Sequence, residues 1–392
     1  MSDACIKTVL YNLVQTQQFM DIKMHGGGLY GEVVFFELLK RLPSIRIIGF
    51  YDSNLYINPL VIQKCRENSV ELLDINKCDV QKFAETQKID VFYSPIFDGK
   101  FKDISAGRSV FTLHGFRGLE LFTEIQSVHF SKNIRSRIRH FAERISFVKR
   151  MFFLRAYNME KQHVLSGHSF VLDSEHTKAS LKAFFPQFIN AEIPVFYPPL
   201  QEQTENLPNI PFAEKSYFLL TSGARWEKNN LRAILAFDRL FSEHKELNFK
   251  VVLTGCSNIR VYEKRIKNRN KFEFLEYVER AVLDALHKNA YAFIYPSLNE
   301  GFGYPPLESM RYGVPVAASG TSSIPEVCRD AAIYFDPYNV NEIKNRIIQL
   351  LDKNIYEDYS KRGIERYKIV NERQRQDLEK LVNFILGESY DK

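Results

Sequence analysis

At 392 residues, the chain is too long for one ordinary hydrophobic core and long enough for two α/β domains. A hydrophobic content of 45% and a charged content of 26% are typical of globular proteins and exclude a wholly disordered chain. The formal net charge of +6 is small and no nucleic-acid recognition module is apparent, so a nucleic-acid partner is not expected.

The cysteines and the first residues indicate the compartment. The chain has 5 cysteines that lie far apart without a C-x-x-C pair, which argues against a disulfide framework and a zinc knuckle. No basic-then-apolar leader opens the sequence, and no apolar run approaches the roughly 20 residues of a membrane span. We therefore expect a cytoplasmic protein, and attachment to the inner face of the cytoplasmic membrane stays open.

The first half of the chain alternates apolar runs with helical segments. Strands alternating with helices predict a parallel sheet, whose ligand crevice lies at the carboxyl ends of the strands. Residues 1–205 are assigned to this first Rossmann-like domain, on the acceptor side. The predicted strands are residues 6–14, 45–51, 70–73, 91–94, 110–113, 170–172 and 195–197.

Residues 26–31 read G-G-G-L-Y-G and contain the glycine spacing of a dinucleotide-binding fingerprint. That fingerprint needs its first glycine at the strand end, whereas mostly polar residues 15–25 intervene here, so a nicotinamide site is disfavoured. Two interpretations stay open. Gly27 and Gly28 could form a turn that lets another backbone or an acceptor sugar approach closely, or a plain loop that enters a helix.

Two later segments of the first half also follow predicted strands. Residues 112–117, T-L-H-G-F-R, end a strand and direct His114 into the crevice, where a site role is favoured over a purely structural one. Residues 173–178, D-S-E-H-T-K, predict a capped helix start that is mainly structural.

Residues 132–155 interleave basic and apolar side chains, with only Glu143 opposing the positive charge. An aromatic-rich basic helix fits docking on an anionic membrane, where a lipid-linked acceptor would lie. The alternative is a helix with its apolar face in the core and its charges solvated. The basic residues are Lys132, Arg135, Arg137, Arg139, Arg144, Lys149, Arg150 and Arg155.

A proline-rich and polar stretch around residues 197–211 predicts the domain boundary. Residues 206–365 are predicted to form the second, donor-binding Rossmann-like domain, and residues 366–392 a C-terminal helix that returns to the first domain. Its predicted strands are residues 217–222, 249–254, 272–275, 291–296, 314–319 and 332–335, with helices at 229–242, ending near 289, at 306–312 and through 340–386.

Residues 221–229, T-S-G-A-R-W-E-K-N, follow the first strand of the second domain and so lie at its predicted crevice. Arg225 and Lys228 supply two cations of the kind that a diphosphate leaving group needs. The alternative is a pair of solvated surface cations.

Residues 295–310 read Y-P-S-L-N-E-G-F-G-Y-P-P-L-E-S-M, in which a strand ends, a loop turns and a helix begins near Pro306. The amide groups at such a helix start favour a diphosphate. Glu300 and Glu308 flank this position, and their carboxylates can accept hydrogen bonds from sugar and ribose hydroxyls. The alternative for Glu308 is an acid favoured by the helix dipole.

This segment resembles the E-x7-E signature of retaining glycosyltransferases of the family-four type, with Glu300 and Glu308 as the two glutamates. The resemblance continues through G-V-P-V at 313–316, S-S-I-P-E-V at 322–327 and D-P at 336–337, and residues 225–229 match the family's R-x-x-K-N element. It implies the GT-B fold, two Rossmann-like domains facing a cleft.

The resemblance also implies roles for single residues. Glu300 would bind hydroxyls of the transferred sugar, and Glu308 those of the ribose. Arg225 and Lys228 would stabilise the departing diphosphate, and His114 would approach the donor sugar. The base-reading stretch, 274–278, has Glu276 in place of the usual glycine, and Gly115 replaces the usual aspartate after the histidine. The implied donor-contacting residues are Gly223, Tyr277, Gly301, Phe302, Gly303, Tyr304, Leu307 and Glu308.

The expected function is retaining transfer of a hexose, mannosyltransferase-like, from a GDP- or UDP-sugar to a saccharide or lipid-linked acceptor in surface polysaccharide or lipopolysaccharide assembly. No D-x-D motif is present, so neither a metal ion nor another cofactor is expected. Two alternatives stay open: a sugar-nucleotide epimerase or phosphorylase on the same fold, and a catalytically silent sugar-nucleotide-binding partner of another transferase.

Overall fold

A computed structural model describes residues 6–18, 25–131, 133–164, 168–199 and 206–390. These residues form two compact units, each with one six-stranded sheet, which confirms the prediction of two Rossmann-like domains. The first unit takes its residues from Met1–Phe116, Asn158–Gln201 and Asn371–Lys392, and the second from Arg117–Tyr157 and Glu202–Val370.

The sheet of the first unit consists of the parallel strands β1 (Lys7–Asn12), β2 (Ile45–Tyr51), β3 (Glu71–Asp74), β4 (Val91–Ser94), β5 (Arg108–Leu113) and β6 (Ser169–Leu172). Their order is β3-β2-β1-β4-β5-β6. The chain therefore proceeds from β1 toward one edge and from β4 toward the other, and the loops after β1 and β4 flank the switch point of the sheet.

The sheet of the second unit repeats this topology. Its parallel strands are β7 (Tyr217–Leu220), β8 (Lys250–Leu253), β9 (Phe272–Phe274), β10 (Ala292–Tyr295), β11 (Val316–Ser319) and β12 (Ala332–Phe335), in the order β12-β11-β10-β7-β8-β9. The switch point lies between β7 and β10, so the loops after these two strands flank the crevice in which α/β sheets bind ligands.

Helices surround both sheets, and several begin at a capping side chain. Ser174 Oγ accepts a hydrogen bond from the amide of Thr177 at 3.1 Å, which confirms the predicted capped helix start. The α-helices are α1 (Gly26–Leu39), α2 (Pro59–Glu67), α3 (Val80–Thr86), α4 (Arg117–Glu120), α5 (Ile134–Ala142), α6 (Ser146–Val164), α7 (Glu175–Phe184), α8 (Asn230–Glu243), α9 (Arg260–Glu263), α10 (Arg280–Asn289), α11 (Tyr304–Met310), α12 (Ile324–Cys328), α13 (Val340–Gln349) and α14 (Lys353–Leu386). The 3₁₀ helices are Val14–Thr16, Gly99–Phe101, Ile125–Phe130, Pro186–Phe188, Trp226–Lys228, Arg269–Lys271 and Arg329–Ala331.

Each sheet has its own hydrophobic core. In the first unit, Phe35 of α1 packs with Tyr11 of β1, and both belong to one buried cluster with Leu381 and Ile385 near the end of α14. The predicted return of the C-terminal helix to the first domain is thus confirmed. In the second unit, Phe237 of α8 packs against Phe218 of β7, with ring centroids 4.9 Å apart. Strands buried on both faces explain the continuous apolar runs in the sequence.

The predicted strand at residues 195–197 is wrong. Val195 forms only an isolated bridge to Leu172 at the edge of the first sheet. Phe196 N donates to the carbonyl of Leu172 at 2.9 Å, so the next amide in this ladder would be that of Pro198, which has no hydrogen to donate, and the ladder stops there. The amide of Tyr197 is not part of the ladder and donates to Asp377 Oδ2 of α14 at 2.8 Å.

The structure also corrects the assignment of residues 117–157 to the first domain, because they cluster with the second unit. Glu124 accepts a hydrogen bond from Arg232 Nη2 of α8 at 2.8 Å, and Phe130 packs edge-on against Tyr262 of α9. These contacts attach the segment to elements that follow it by more than a hundred positions in sequence.

Two helix boundaries differ from the predicted ones. α11 begins at Tyr304 rather than near Pro306, because Gly303 adopts a left-handed backbone with φ of 100° that ends the loop there. α14 is one helix from Lys353, and the two units divide it after Val370 rather than after residue 365.

Asp377→Ala should lower the stability of the first unit, because the buried carboxylate accepts from Tyr197 N at 2.8 Å and from Arg373 Nε at 3.1 Å. The expected loss is about 1–3 kcal/mol, seen as a fall of several degrees in Tm. The matched control is Asp358→Ala on the same helix, whose half-exposed carboxylate pairs with Arg362. Equal Tm changes in both variants would contradict this assignment.

Candidate functional site

The loop that follows β10 carries a buried carboxylate. Glu300 Oε1 accepts hydrogen bonds from Lys228 Nζ at 2.6 Å, from the hydroxyl of Tyr295 at 2.6 Å and from Ser297 Oγ. Glu300 and Lys228 are 8% and 7% exposed. A carboxylate that accepts from so many donors is held in its ionised form and in one orientation.

The charges around Glu300 decide its titration. Burial raises the pKa of Glu300, but the positive charges of Lys228 and Arg117 outweigh burial and bring the pKa to about 2. Arg117 Nη2 lies 4.0 Å from Glu300 Oε2. Burial lowers the pKa of Lys228, against the opposing effect of Glu300. The carboxylate of Glu300 is ionised at neutral pH because it is stabilised from two sides.

Arg225 lies in the loop after β7 and pairs with Glu227, a residue for which no role was predicted. Its Nε and Nη2 atoms lie 2.8 and 2.6 Å from Glu227 Oε1. The backbone carbonyl of Glu227 also accepts from the amide of Leu298 at 2.9 Å. Glu227 therefore connects the loops after β7 and β10. Its position between two cations in the sequence R-x-E-K is the feature from which its role could have been predicted.

The contacts of Asn229 explain why the R-x-x-K-N element ends in asparagine. Its backbone is left-handed, with φ of 57°, and its side-chain amide donates to the carbonyls of Pro296 at 3.0 Å and Pro337 at 2.7 Å. One asparagine thus ties the loop after β7 to the loops after β10 and β12. Asparagine suits this position because it tolerates the left-handed region and offers two donors.

The loop that carries Glu300 is held by hydrogen bonds to the two serines that precede α12. Ser322 Oγ accepts from the amide of Glu300 at 3.0 Å, and Ser323 Oγ donates to the carbonyls of Glu300 at 3.0 Å and Phe302 at 2.7 Å. The downstream part of the signature therefore holds the Glu300 loop in its shape.

Glu308 lies in a second buried network. Arg280 Nη1 donates to Glu308 Oε1, and Arg280 Nη2 lies 2.9 Å from Asp284. His287 Nε2 lies 3.5 Å from Glu308, and burial lowers the pKa of His287 to about 4. Burial raises the pKa of Glu308, but Arg280 and His287 outweigh it and lower the pKa overall. Arg280 and His287 were missed, since neither belongs to the signature.

The other residues predicted to contact the donor differ in their position and exposure. Gly223 lies after β7, where a Cβ atom would meet Cys256 Sγ at 2.4 Å, so close packing requires the glycine. Tyr277 is 64% exposed, whereas the side chains of Phe302 and Leu307 are buried. Gly301, Gly303 and Tyr304 form the loop end and the first turn of α11. Thus the structure brings Arg225, Lys228 and Glu300 together and places Glu308 in its own network.

His114 belongs to the first unit and follows β5. Its Nε2 lies 2.8 Å from the carbonyl oxygen of Pro95, in the loop after β4, and its Nδ1 lies 3.4 Å from Asp173 Oδ2. The edge of its ring meets Tyr30 of α1 at a centroid distance of 4.9 Å. These contacts fix the ring at the carboxyl end of the first sheet.

Gly27 and Gly28 lie in the first turn of α1, near the switch point of the same sheet. A Cβ atom at Gly27 would meet Ile96 Cδ1 at 2.6 Å, and one at Gly28 would meet the backbone oxygen of Thr16 at 3.0 Å. His25 caps the helix and accepts from the amide of Gly28 at 3.1 Å. Both glycines thus lie at a helix start, and Gly28 admits the backbone of Thr16.

The basic segment has the exposed apolar side chains that the core alternative excludes. None of the described residues of α5 is buried, and Phe141, Ile145 and Phe147 are 62%, 55% and 72% exposed. Lys132 lies outside the described residues.

No described helix combines the length and the apolar character that crossing a bilayer requires. Within the described ranges, no three His, Cys, Asp or Glu residues are grouped to hold a metal ion.

Comparison with known proteins gives a family match in the second half of the chain. Residues 202–368 match the family model described as glycosyl transferases group 1. The O-antigen chain mannosyltransferase B of Escherichia coli is 31% identical over 157 residues, which are 38% of this chain and 41% of that protein. The O-antigen chain mannosyltransferase RfbU of Salmonella typhimurium is 30% identical over 128 residues, 32% of this chain and 35% of that protein. The chain thus matches less than half the length of these relatives.

Solved structures resemble nearly the whole chain at low sequence identity. Sucrose-phosphate synthase from Thermosynechococcus elongatus superposes with a TM-score of 0.66 at 13% identity, over 98% of this chain and 100% of that one. WaaG, a glycosyltransferase involved in lipopolysaccharide biosynthesis, gives a TM-score of 0.60 at 14% identity, over 97% and 100%. Likeness at this identity shows the fold alone, and it confirms the predicted GT-B class.

The stabilising effect of the Glu300 network should depend on pH. Because the folded-state pKa of about 2 lies below the ordinary 4.5, Glu300 adds stability that is complete above that ordinary value and is lost as pH falls toward 2. The free energy of unfolding of wild type should therefore exceed that of Glu300→Gln by about 3 kcal/mol at neutral pH, and the difference should shrink in acid.

Urea unfolding of both proteins across a pH series measures this difference. Glu357→Gln, at a half-exposed glutamate of α14, is the matched control and should show a small difference at every pH. A constant difference between wild type and Glu300→Gln from neutral pH into acid would contradict the ionic assignment.

Proposed function

We propose that this chain, whose residues 202–368 match the family model described as glycosyl transferases group 1, is a retaining glycosyltransferase. It moves a hexose, with mannose as the first candidate, from a nucleoside-diphosphate sugar to a saccharide or lipid-linked acceptor in surface polysaccharide or lipopolysaccharide assembly. The observation that carries the proposal is the ionised Glu300, held by Lys228 at the switch point of the second sheet. The names of the O-antigen mannosyltransferases support the choice of sugar.

Glu300 is suited to hold the transferred sugar. Its Oε1 atom is occupied by three donors of the protein, whereas its Oε2 atom lies 4.0 Å from the nearest ion-pair partner, Arg117. In the proposed complex Oε2 accepts hydrogen bonds from sugar hydroxyls. In the same proposed complex the carboxylate of Glu308 accepts hydrogen bonds from the ribose hydroxyls. Arg280 and His287 hold that carboxylate in place.

The proposed reaction exchanges one bond for another at the anomeric carbon. The bond to the diphosphate oxygen breaks with its electron pair staying on the diphosphate, and a bond to the acceptor hydroxyl oxygen forms on the same face of the sugar. The acceptor proton passes to the departing diphosphate. Arg225, whose side chain is 40% exposed, and the neighbouring charge of Lys228 stabilise the negative charge that develops. The proposed step uses no metal ion.

A donor panel tests this function. UDP-, GDP- and ADP-sugars are added to wild type, to Glu308→Ala and to Glu365→Ala, an exposed control on α14. A ligand that binds only the folded state raises its stability by about 2.7 kcal/mol at a hundred times its Kd, so one base class should raise Tm by several degrees. The Tm shift should fade in Glu308→Ala and persist in Glu365→Ala.

Analysis of the products then separates the alternatives. A sugar joined to an acceptor or released to water supports the transferase, whereas an inverted nucleotide sugar indicates an epimerase and a sugar phosphate a phosphorylase. Binding without turnover of any donor indicates a silent sugar-nucleotide-binding partner. A lack of any Tm shift contradicts the proposed donor site.

We further propose that the protein binds the cytoplasmic face of an anionic membrane through α5 and the start of α6. Phe147 and Met151 are exposed there beside the cationic side chains of Arg144 and Arg150. Apolar side chains that insert at the interface and cations that contact lipid headgroups act together in such segments. This attachment would bring the enzyme to a lipid-linked acceptor.

Vesicle binding tests the attachment. Changing Arg135, Arg137 and Arg139 to glutamine should weaken binding to vesicles that contain phosphatidylglycerol, by about 1 kcal/mol per charge or on the order of 100-fold in all. Added salt should reduce the difference, because it screens exposed charges. The control changes three exposed lysines of α14, Lys353, Lys361 and Lys368, to glutamine. Equal binding by both triple variants would show that the segment does not contact the membrane.

A further inference from the structure

The short helix α4, which follows β5 in the chain, forms hydrogen bonds to the loop that carries Glu300. Arg117 Nη2 donates to the carbonyl oxygen of Asn299 at 3.4 Å, and Glu120 Oε2 accepts from the side-chain amide of Asn299 at 2.5 Å. All of these residues belong to the second unit. One turn of helix therefore holds both the backbone and the side chain of the residue that precedes the buried carboxylate.

The guanidinium of Arg117 also lies between the two carboxylates of the cluster. Its Nη1 lies 3.4 Å from Glu227 Oε1, the oxygen that binds Arg225, and its Nη2 lies 4.0 Å from Glu300 Oε2. Arg117 thus connects the Arg225–Glu227 pair to the Lys228–Glu300 pair. A planar guanidinium can bridge two acceptors in this way, whereas the point charge of a lysine cannot.

The cluster also contains a donor that is not yet used. Three cations, Arg117, Arg225 and Lys228, lie around the carboxylates of Glu227 and Glu300. Arg117 Nε is buried and makes no hydrogen bond within the part of the chain that the structure describes. A buried donor in this state costs free energy that a ligand oxygen can recover.

We propose that Arg117 is a positioning residue for Glu300: its guanidinium fixes the Oε2 side of that carboxylate toward the donor sugar and adds a third cation to the site. The proposal rests on the function proposed above, because it takes Glu300 to bind the transferred sugar. Arg117 follows His114 by three residues in the sequence, and no role was predicted for it.

Three variants test Arg117. Arg117→Ala removes the bridge, and Arg117→Lys keeps only the charge. The control, Arg239→Ala, removes an exposed cation of α8 that donates to Asn341 Oδ1 at 2.9 Å. The donor is the nucleotide sugar that wild type turns over in the panel, with release of the nucleoside diphosphate as the readout. Affinity for the free nucleoside diphosphate is measured separately for each variant.

For Arg117→Ala we expect kcat to fall by about 10- to 100-fold, with the affinity for the free nucleoside diphosphate changing by less than about 3-fold. Added guanidinium ions should recover part of the kcat, because they can occupy the vacated position, and Arg117→Lys should stay well below wild type. Arg239→Ala should match wild type.

An Arg117→Ala enzyme with the kcat of wild type overturns the role of Arg117 and leaves the proposed function in place. Equal losses of kcat and nucleoside-diphosphate affinity, with a lower Tm and no recovery by guanidinium, also overturn it and make the residue structural. If wild type binds and turns over none of the nucleotide sugars, the proposed function fails and this inference fails with it.

Discussion

The buried ion pair between Lys228 and Glu300 is the interaction on which the site depends. Two charges removed from water are tolerated only where each finds further hydrogen bonds, and here Tyr295 and Ser297 complete the shell of the carboxylate. Ser322 and Ser323 hold the backbone that carries Glu300. Several residues of the sequence signature therefore serve this one ion pair, because they complete its hydrogen bonds or hold the loop that carries Glu300.

Strand positions and the central cluster were predictable because their causes are local. The strands at 45–51, 91–94 and 332–335 match the structure residue by residue, since apolar runs buried on both faces leave a clear pattern. Arg225, Lys228 and Glu300 follow strands that flank one switch point, so chain order alone brings them together.

The rest could not be predicted because its causes lie far away in the chain. Asp377 accepts from the amide of Tyr197 from 180 positions downstream. Arg280 and His287 reach Glu308 from a helix outside the signature, and Arg117 reaches Glu227 across 110 positions. Such pairings leave no periodicity or spacing in a single sequence. Two Rossmann-like domains were predictable from repeated βα units, and the GT-B class from the resemblance around Glu300 and Glu308. The membership of residues 117–157 in the second unit depends on tertiary contacts.

That membership makes the second unit discontinuous in sequence, with residues 117–157 inserted before the last strand of the first sheet. A chimaera of two related chains joined at the unit boundary near residue 202 would pair the Glu300 loop of one parent with the α4 turn of the other. It would separate Arg117 from the Asn299 and Glu227 of its own chain. A productive exchange has to move both segments together, with junctions near residues 117, 157, 202 and 370.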